Sequence, residues 1–193
     1  MDWSKATTIL IIALLAVCLM LSGILVYRNQ EAKKADAEAA MLAVEYLKTQ
    51  GASAICDIPL ERPSLPVLFI HFNPASTEHT NILENYKGYP VITGRSKTVQ
   101  DMLPSENGAV EIRAFLPELT SVGNAKAKVI SASSAVLNAA TLADNIKGLE
   151  IRSVRLVYYI ESDGFNPMLE DTSLPCWEVD TNRGTFYINA YAV

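Results

Sequence analysis

Ala6-Thr-Thr-Ile-Leu-Ile-Ile-Ala-Leu-Leu-Ala-Val-Cys-Leu-Met-Leu-Ser-Gly-Ile-Leu-Val-Tyr27 is the stretch of sequence that decides the fold. It contains no charged side chain. As a helix that rises about 1.5 Å per residue, it covers a hydrocarbon core of about 30 Å. The sequence therefore predicts a transmembrane helix over residues 6–27, with a short tail before it and a larger domain after it.

Two other interpretations of this stretch remain open beside the uncleaved anchor. A cleaved secretory signal needs a shorter apolar region and a small-x-small site. Ala35-Asp36-Ala37 has that form but lies several polar residues beyond the apolar run. A lipoprotein signal needs a small residue before its cysteine, whereas Val17 precedes Cys18. Both features favour an anchor that stays in the membrane.

The charges beside the span do not set its orientation. Lys5 lies before it, and Arg28, Lys33 and Lys34 lie after it, so the positive-inside rule gives no clear answer. The chain has a net charge of −5, and no cluster of Lys and Arg follows the span in the way that phosphate recognition requires. Nucleic acid is therefore excluded as an expected partner.

Residues 28–51 predict a juxtamembrane helix. The segment is rich in helix-forming residues and contains no Gly or Pro until Gly51, a typical helix stop. The membrane helix is therefore expected to continue outward as a stalk. Its large apolar residues lie toward the far end, which predicts that this end docks on the domain: Met41, Leu42, Val44, Tyr46 and Leu47.

Residues 52–193 predict an extracytoplasmic α+β domain of helices packed on antiparallel sheets. Apolar runs and period-two alternation indicate strands over residues 52–58, 67–72, 109–115, 151–161, 176–180 and 185–191. Residues 129–143 predict a buried helix capped by Ser131 or Ser133, and residues 180–184 predict a hairpin turn. Loops are expected over 73–80 and 116–126. The repeated order of helix then strands suggests two lobes, about 35–117 and 129–193.

No motif for catalysis, a metal or a cofactor is present in the sequence. His71 and His79 are eight apart, a spacing that fits no helical metal pair. The acidic residues Glu161, Asp163, Glu170 and Asp171 do not follow the spacing of an EF-hand calcium loop. We therefore expect a protein that is not an enzyme and needs no cofactor.

Three sets of residues are candidates for contacts. Residues at intervals of three and four place a stripe of mostly small side chains along the span, where a partner helix can approach closely: Ala6, Ile9, Ala13, Ala16, Met20, Gly23 and Tyr27. An aromatic set on the last strands is a candidate binding face, although on alternating strands such residues are more often half core and half exposed sheet face: Trp177, Phe186, Tyr187 and Tyr191. Cys56 and Cys176, the two cysteines outside the span, are the candidate disulfide pair, although two isolated cysteines are more often unpaired.

Both ends of the chain carry a resemblance to a known family. Met1-Asp2-Trp3-Ser4-Lys5, followed at once by the span, resembles the amino terminus of the YycI family. The carboxy-terminal Pro175-Cys-Trp177-Glu-Val and Gly184-Thr-Phe-Tyr-Ile-Asn-Ala-Tyr191 resemble its closing hairpin. Two features depart from the family pattern: Cys176 stands where Ala is common, and Ala192-Val193 replaces the usual Thr-Gly-acidic continuation.

The resemblance implies a function as well as a fold. YycI proteins are membrane regulators that accompany the WalK (YycG) sensor histidine kinase and a companion protein, YycH, in cell-wall homeostasis signalling of Gram-positive bacteria. This implies a cytosolic tail over residues 1–5, an outward-facing domain of PepSY-like units, and signalling through contacts between membrane helices. The alternative is an anchored PepSY-like module that binds an extracellular peptide or cell-wall ligand, or inhibits a protease.

Overall fold

A 47-residue helix, α1 (Trp3–Thr49), joins the apolar stretch to the folded domain. The computed structural model describes residues 3–74, 83–93, 99–104, 110–160 and 171–191. They form a mixed α+β fold in which this helix precedes a curled sheet in the chain. The helix is uninterrupted through residues 28–49, as expected from a segment without Gly or Pro. It ends before Gly51, whose φ of 78° is a conformation that glycine adopts without steric cost.

Nine strands and a second helix follow α1 in the described part of the chain. In chain order they are β1 (Ser53–Ala54), β2 (Ser64–Pro74), β3 (Asn85–Tyr86), β4 (Tyr89–Thr93), β5 (Val99–Pro104), β6 (Val110–Lys128), α2 (Ala132–Leu142), β7 (Glu150–Ile160), β8 (Asp171–Thr181) and β9 (Gly184–Asn189). The strands form one sheet in the order β3-β4-β7-β8-β2-β6-β5, in which β1 also pairs with β7 and β9 with β8.

Strand β8 is the centre of this sheet. Its first edge pairs along its length with β7, and its second edge is shared by two strands. Residues 171–173 pair with β2, and residues 176–181 pair with β9. On this second edge, the first residues of β8 connect the sheet to strands β2, β6 and β5, and the remaining residues pair with the short strand β9.

Helix α2 and the hairpin after β8 confirm the predictions made for them. Ser131 caps α2, with its hydroxyl oxygen accepting the Ser134 N–H at 3.2 Å. In the hairpin turn, the Thr181 hydroxyl donates to the Gly184 carbonyl at 2.7 Å, and Gly184 has a φ of 128°. Both elements depend on local chemistry that the sequence shows directly.

The hydrophobic core lies between α2, the distal end of α1 and one face of β7, β8 and β9. Small residues on α2, including Ala135 and Ala139, are fully buried and let the helix lie close to the sheet. Two polar groups in this core have partners: the Trp177 indole donates to the Ile130 carbonyl at 3.0 Å, and the Tyr158 hydroxyl donates to the Pro66 carbonyl at 2.9 Å.

Several predicted boundaries differ from the structure. The loop expected over residues 116–126 is wrong, because these residues continue β6 as an antiparallel partner of β2. The strand expected over 52–58 is only the two residues of β1. Strands from both predicted lobes lie in one sheet through the β2–β8 pairing, so the division into two lobes stays a prediction.

Candidate functional site

The apolar part of α1 is exposed all around in the chain taken alone. The helix contains a window with a mean hydropathy of 2.8, none of which is buried against the rest of the protein. It is long and apolar enough to span a membrane. The predicted stripe lies on this helix, and a Cβ placed on Gly23 would meet nothing within 4 Å. Among the stripe residues whose side chains are described, Ala13, Ala16, Met20, Gly23 and Tyr27 are all exposed and available to lipid or to a partner helix.

The distal end of α1 is anchored in the domain core. Leu47 is fully buried and Ala43, one turn earlier, is 2% exposed. The same side of the helix continues through Ala40 to Asp36, both half-buried, because residues spaced by three and four share a helix face. Docking of this end was predicted, but with partly wrong residues. Met41, Leu42 and Tyr46 point away from the domain and are 73%, 64% and 50% exposed.

Arg62 makes a second attachment between α1 and the domain. Its Nη1 lies 3.3 Å from Oδ1 of Asp36, forming an ion pair, and its Nε donates to the Val129 carbonyl at 3.0 Å. Val129 in turn pairs with Tyr191 and donates to the Pro63 carbonyl. Arg62 therefore connects α1 to Val129, in the region where the start of β2, the end of β6 and the residues after β9 lie side by side.

The two attachments lie far apart along the helix. Asp36 and Leu47 are eleven residues apart, about 16 Å along the helix axis. A rod held at one point can pivot, whereas a rod held at two separated points cannot do so without breaking one of them. The apolar span is therefore connected to the domain by one continuous helix that contacts the domain at two points, and we call this helix the lever. The sequence predicted a helical stalk that docks at its far end, but it contained no signal for the Arg62–Asp36 ion pair, whose partners are distant in the chain.

A cleft lies between α1 and the segment that precedes β2. It is next to the Arg62–Asp36 contact, which we call the lower attachment because it is nearer to the apolar part of α1; the contact at Leu47 is the upper attachment. The cleft has a volume of about 510 Å³ and is lined by residues of α1 from Asn29 to Asp36, by residues 60–63 and by Lys128. We call it the membrane-proximal cleft. Its walls combine the Lys33 and Lys128 ammonium groups with the half-exposed side chain of Leu60.

A second concavity, the sheet groove, lies on the face of the sheet opposite to α2. It has a volume of about 800 Å³ and is lined by Val67 and Phe69 of β2, residues 121–125 of β6, Thr172 and Leu174 of β8, and Tyr191. Gly123 allows β6 to pass close to β2, because a Cβ there would lie 3.1 Å from the Val67 carbonyl oxygen. Of these residues, the sequence had indicated only Tyr191 as a binding residue.

The four predicted aromatic residues do not form one face. Trp177 is buried and Phe186 packs against the same core, on the side of α2. Tyr187 pairs across from Glu178, so it lies on the opposite side of the sheet, where it stacks on Tyr159 with ring centroids 4.2 Å apart. A single aromatic platform is therefore excluded for Trp177, Phe186 and Tyr187, which follow the alternative expected of alternating strands, part in the core and part on the opposite sheet face.

The charged and titratable side chains of β7, β8 and β9 have structural roles in the sheet. The Arg155 guanidinium binds both carboxylate oxygens of Glu178, at 2.7 and 3.0 Å, which raises the pKa of Arg155. Burial raises the pKa of Tyr187, and it raises the pKa of Tyr158 further, so both phenols stay neutral. These groups stabilise the sheet, and none of them lines the membrane-proximal cleft or the sheet groove.

The candidate disulfide is not formed. Cys56 follows β1 on one edge of β7, whereas Cys176 lies in β8 on the other edge, and the two are not bonded to each other. Because β7 lies between the two cysteines, their Cα atoms are separated by about two strand spacings, about 10 Å or more. A disulfide requires a Cα separation of about 4.4–6.8 Å. Burial raises the pKa of the Cys56 thiol, which favours its protonated form.

Of the six histidine and acidic residues considered from the sequence, only His71 and Asp171 lie within the described ranges. No group of three or more His, Cys, Asp or Glu side chains is close enough there to hold a metal ion. His71 is half-buried in β2, and Asp171 accepts the N–H of Thr172 at the start of β8. Glu161, Asp163, Glu170 and His79 lie outside the described residues.

Comparison with known proteins gives no assignment. The chain matches no family model and no curated protein at a significant level. Inference about function therefore depends on the two attachments of α1, the two concavities, and the resemblance carried by the residues at both ends of the chain.

Proposed function

We propose that this chain is a single-pass membrane regulator of a sensor histidine kinase. Its domain lies outside the cytoplasm and its span contacts the membrane helices of the kinase and of a YycH-like companion protein. The resemblance of both ends to the YycI family supplies the class of partner. In this proposal the domain has the PepSY-like, two-lobed organisation of that family, and the orientation places the amino terminus in the cytosol.

The observation that supports a signalling role is the double attachment of α1. A tether needs only a flexible connection, but this helix runs without a break from the span into the core and is held at Asp36 and at Leu47. Any change in the position of the domain is therefore carried to the span. A kinase with two states responds if its helices contact the span differently in each state.

The stripe on the span is the proposed contact surface. Small residues such as Ala13, Ala16 and Gly23 let two helix backbones approach, and in a bilayer this close packing is a main source of helix association. The stripe repeats at intervals of three and four over residues 6–27, the pattern of a seam between two helices that cross at a shallow angle.

Exchange of the span tests this proposal. Residues 6–27 are replaced by an unrelated apolar sequence of equal length, and kinase-dependent transcription is measured against cells that lack the chain. We expect regulation to be lost, so that transcription equals that of the deletion strain. A second exchange that keeps only the seven stripe residues is the matched control, and it should retain regulation. Wild-type kinase-dependent transcription in cells whose chain carries the complete replacement of residues 6–27 contradicts the proposal.

The sheet groove favours a second candidate function. An anchored module that captures an extended peptide or a cell-wall fragment, or that inhibits a protease, would use its apolar wall of Val67, Phe69 and Leu174. In that case the span is only an anchor. Regulation that survives replacement of residues 6–27, and that is lost when a bulky side chain fills the groove, would favour this function over the first.

A further inference from the structure

The segments that form the membrane-proximal cleft have a charge opposite to that of the whole chain. Residues 28–36, 60–63 and 126–128 contain more cationic side chains than carboxylates, although the chain has a net charge of −5. The cations are Arg28, Lys33, Lys34, Arg62, Lys126 and Lys128, and the carboxylates are Glu31, Asp36 and Glu61. One of these carboxylates, Asp36, is paired with Arg62. Among the residues that line the cleft itself, Lys33, Arg62 and Lys128 are cationic and Asp36 and Glu61 are acidic, so the lining has a net charge of +1 on an acidic protein.

The helix sets the height of this cleft above the bilayer. The uncharged run ends at Tyr27, and α1 continues straight into the wall of the cleft. At about 1.5 Å per residue, Asn29 lies about 3 Å and Lys33 about 9 Å beyond Tyr27 along the axis. The headgroup layer on each side of a bilayer is about 5–7 Å thick, and a lysine side chain reaches several ångströms further. The cleft therefore begins within the headgroup layer.

We propose that the membrane-proximal cleft binds the headgroup of an anionic phospholipid from the bilayer that holds the span. Lys33 and Lys128 face the phosphate from two walls. Arg62 has five N–H donors, so it can bind a phosphate oxygen while it keeps its bonds to Asp36 and Val129. The lipid thereby joins α1 to the segment before β2, beside the lower attachment of the lever.

The apolar part of the cleft favours a lipid over a free anion. Leu60 is 44% exposed at the rim, next to the cationic side chains. A protruding leucine beside lysines matches a membrane interface, where the apolar side chain enters the acyl boundary and the cations bind headgroups. A soluble phosphate would give this leucine no partner. The inference rests on α1 crossing the membrane and does not require a kinase.

Hydrogen exchange of the full chain in lipid nanodiscs tests the proposal. The probe lipids are phosphatidylcholine alone and phosphatidylcholine mixed with phosphatidylglycerol, and exchange is followed in peptides that cover residues 57–62. We expect exchange about fivefold slower in the anionic discs, the factor that corresponds to ~1 kcal/mol for one cation at an anionic surface. Lys33→Gln combined with Lys128→Gln should abolish the difference.

A matched pair of substitutions serves as the control. Lys48 and Lys147 are exposed at the opposite end of the domain, near Gly51, so the change of both to Gln removes the same charge far from the bilayer. This variant should show the wild-type difference between the two discs. Equal exchange in both discs overturns the proposal, as does equal slowing by inorganic phosphate added to the detergent-solubilised chain. Since no kinase is present, failure of the proposed signalling function leaves this result unchanged.

Discussion

Leu47→Ala is expected to lower the free energy of unfolding of the domain by ~2–5 kcal/mol. Leu47 is fully buried in the cluster that contains α2 and the sheet, so its truncation removes apolar contacts and leaves a cavity. The same change releases the upper attachment of α1. Under the proposed function, we therefore expect the variant to lose kinase regulation in addition to stability, even at temperatures at which the domain remains folded.

Leu42→Ala is the matched control for this substitution. Leu42 lies on the same helix and is 64% exposed, so the same chemical change should alter the free energy of unfolding by no more than ~0.5 kcal/mol. Urea unfolding of the detergent-solubilised chain, followed by the fluorescence of Trp177 in a Trp3→Phe background, measures both variants. Equal midpoints for the two substitutions would show that α1 is not anchored in the core by Leu47.

Glu31→Pro is expected to abolish regulation without removing either attachment. Residue 31 is exposed and lies between the span and Asp36. Proline there removes the hydrogen bond to the carbonyl of Tyr27 and clashes with it, at a cost of ~3 kcal/mol to a straight helix. The helix should therefore kink between membrane and domain. Kinase-dependent transcription, normalised to the amount of chain in the membrane fraction, should equal that of the deletion strain.

Glu31→Ala separates the kink from the loss of a carboxylate. Alanine removes the same charge and favours a straight helix, so this variant should regulate as the wild-type chain does. A proline variant that regulates as well as the alanine variant would show that α1 acts as a flexible tether. In that case the two attachments would serve the stability of the domain only.

Elements that depend on local chemistry were predictable from the sequence. The long apolar helix required only an uncharged run, its continuation required only the absence of Gly and Pro, and the N-cap of α2 required only a serine before an apolar helix. The hairpin at Gly184 likewise followed from turn residues between two strands. Each of these signals acts within a few residues and is little changed by the rest of the fold.

Elements that depend on distant partners were not predictable. Residues 116–126 include Pro117, Gly123 and several polar side chains, a composition typical of a loop, but pairing with β2 makes them a strand. Composition also placed Met41, Leu42 and Tyr46 on the docked face, although helix geometry gives that face to Ala43 and Leu47. The two concavities join segments far apart in the chain, so no local pattern could indicate them.

The central claim, that α1 is a stiff lever between the domain and the membrane, is tested most directly by alanine insertions after Gln30. Two inserted residues rotate the span by about 200° relative to the domain, whereas four return it to within about 40° of its original direction. We predict that kinase-dependent transcription equals that of the deletion strain with two alanines and returns toward the wild-type level with four. Wild-type regulation with both insertions would contradict the lever, and equal loss with both would contradict a directional contact by the stripe.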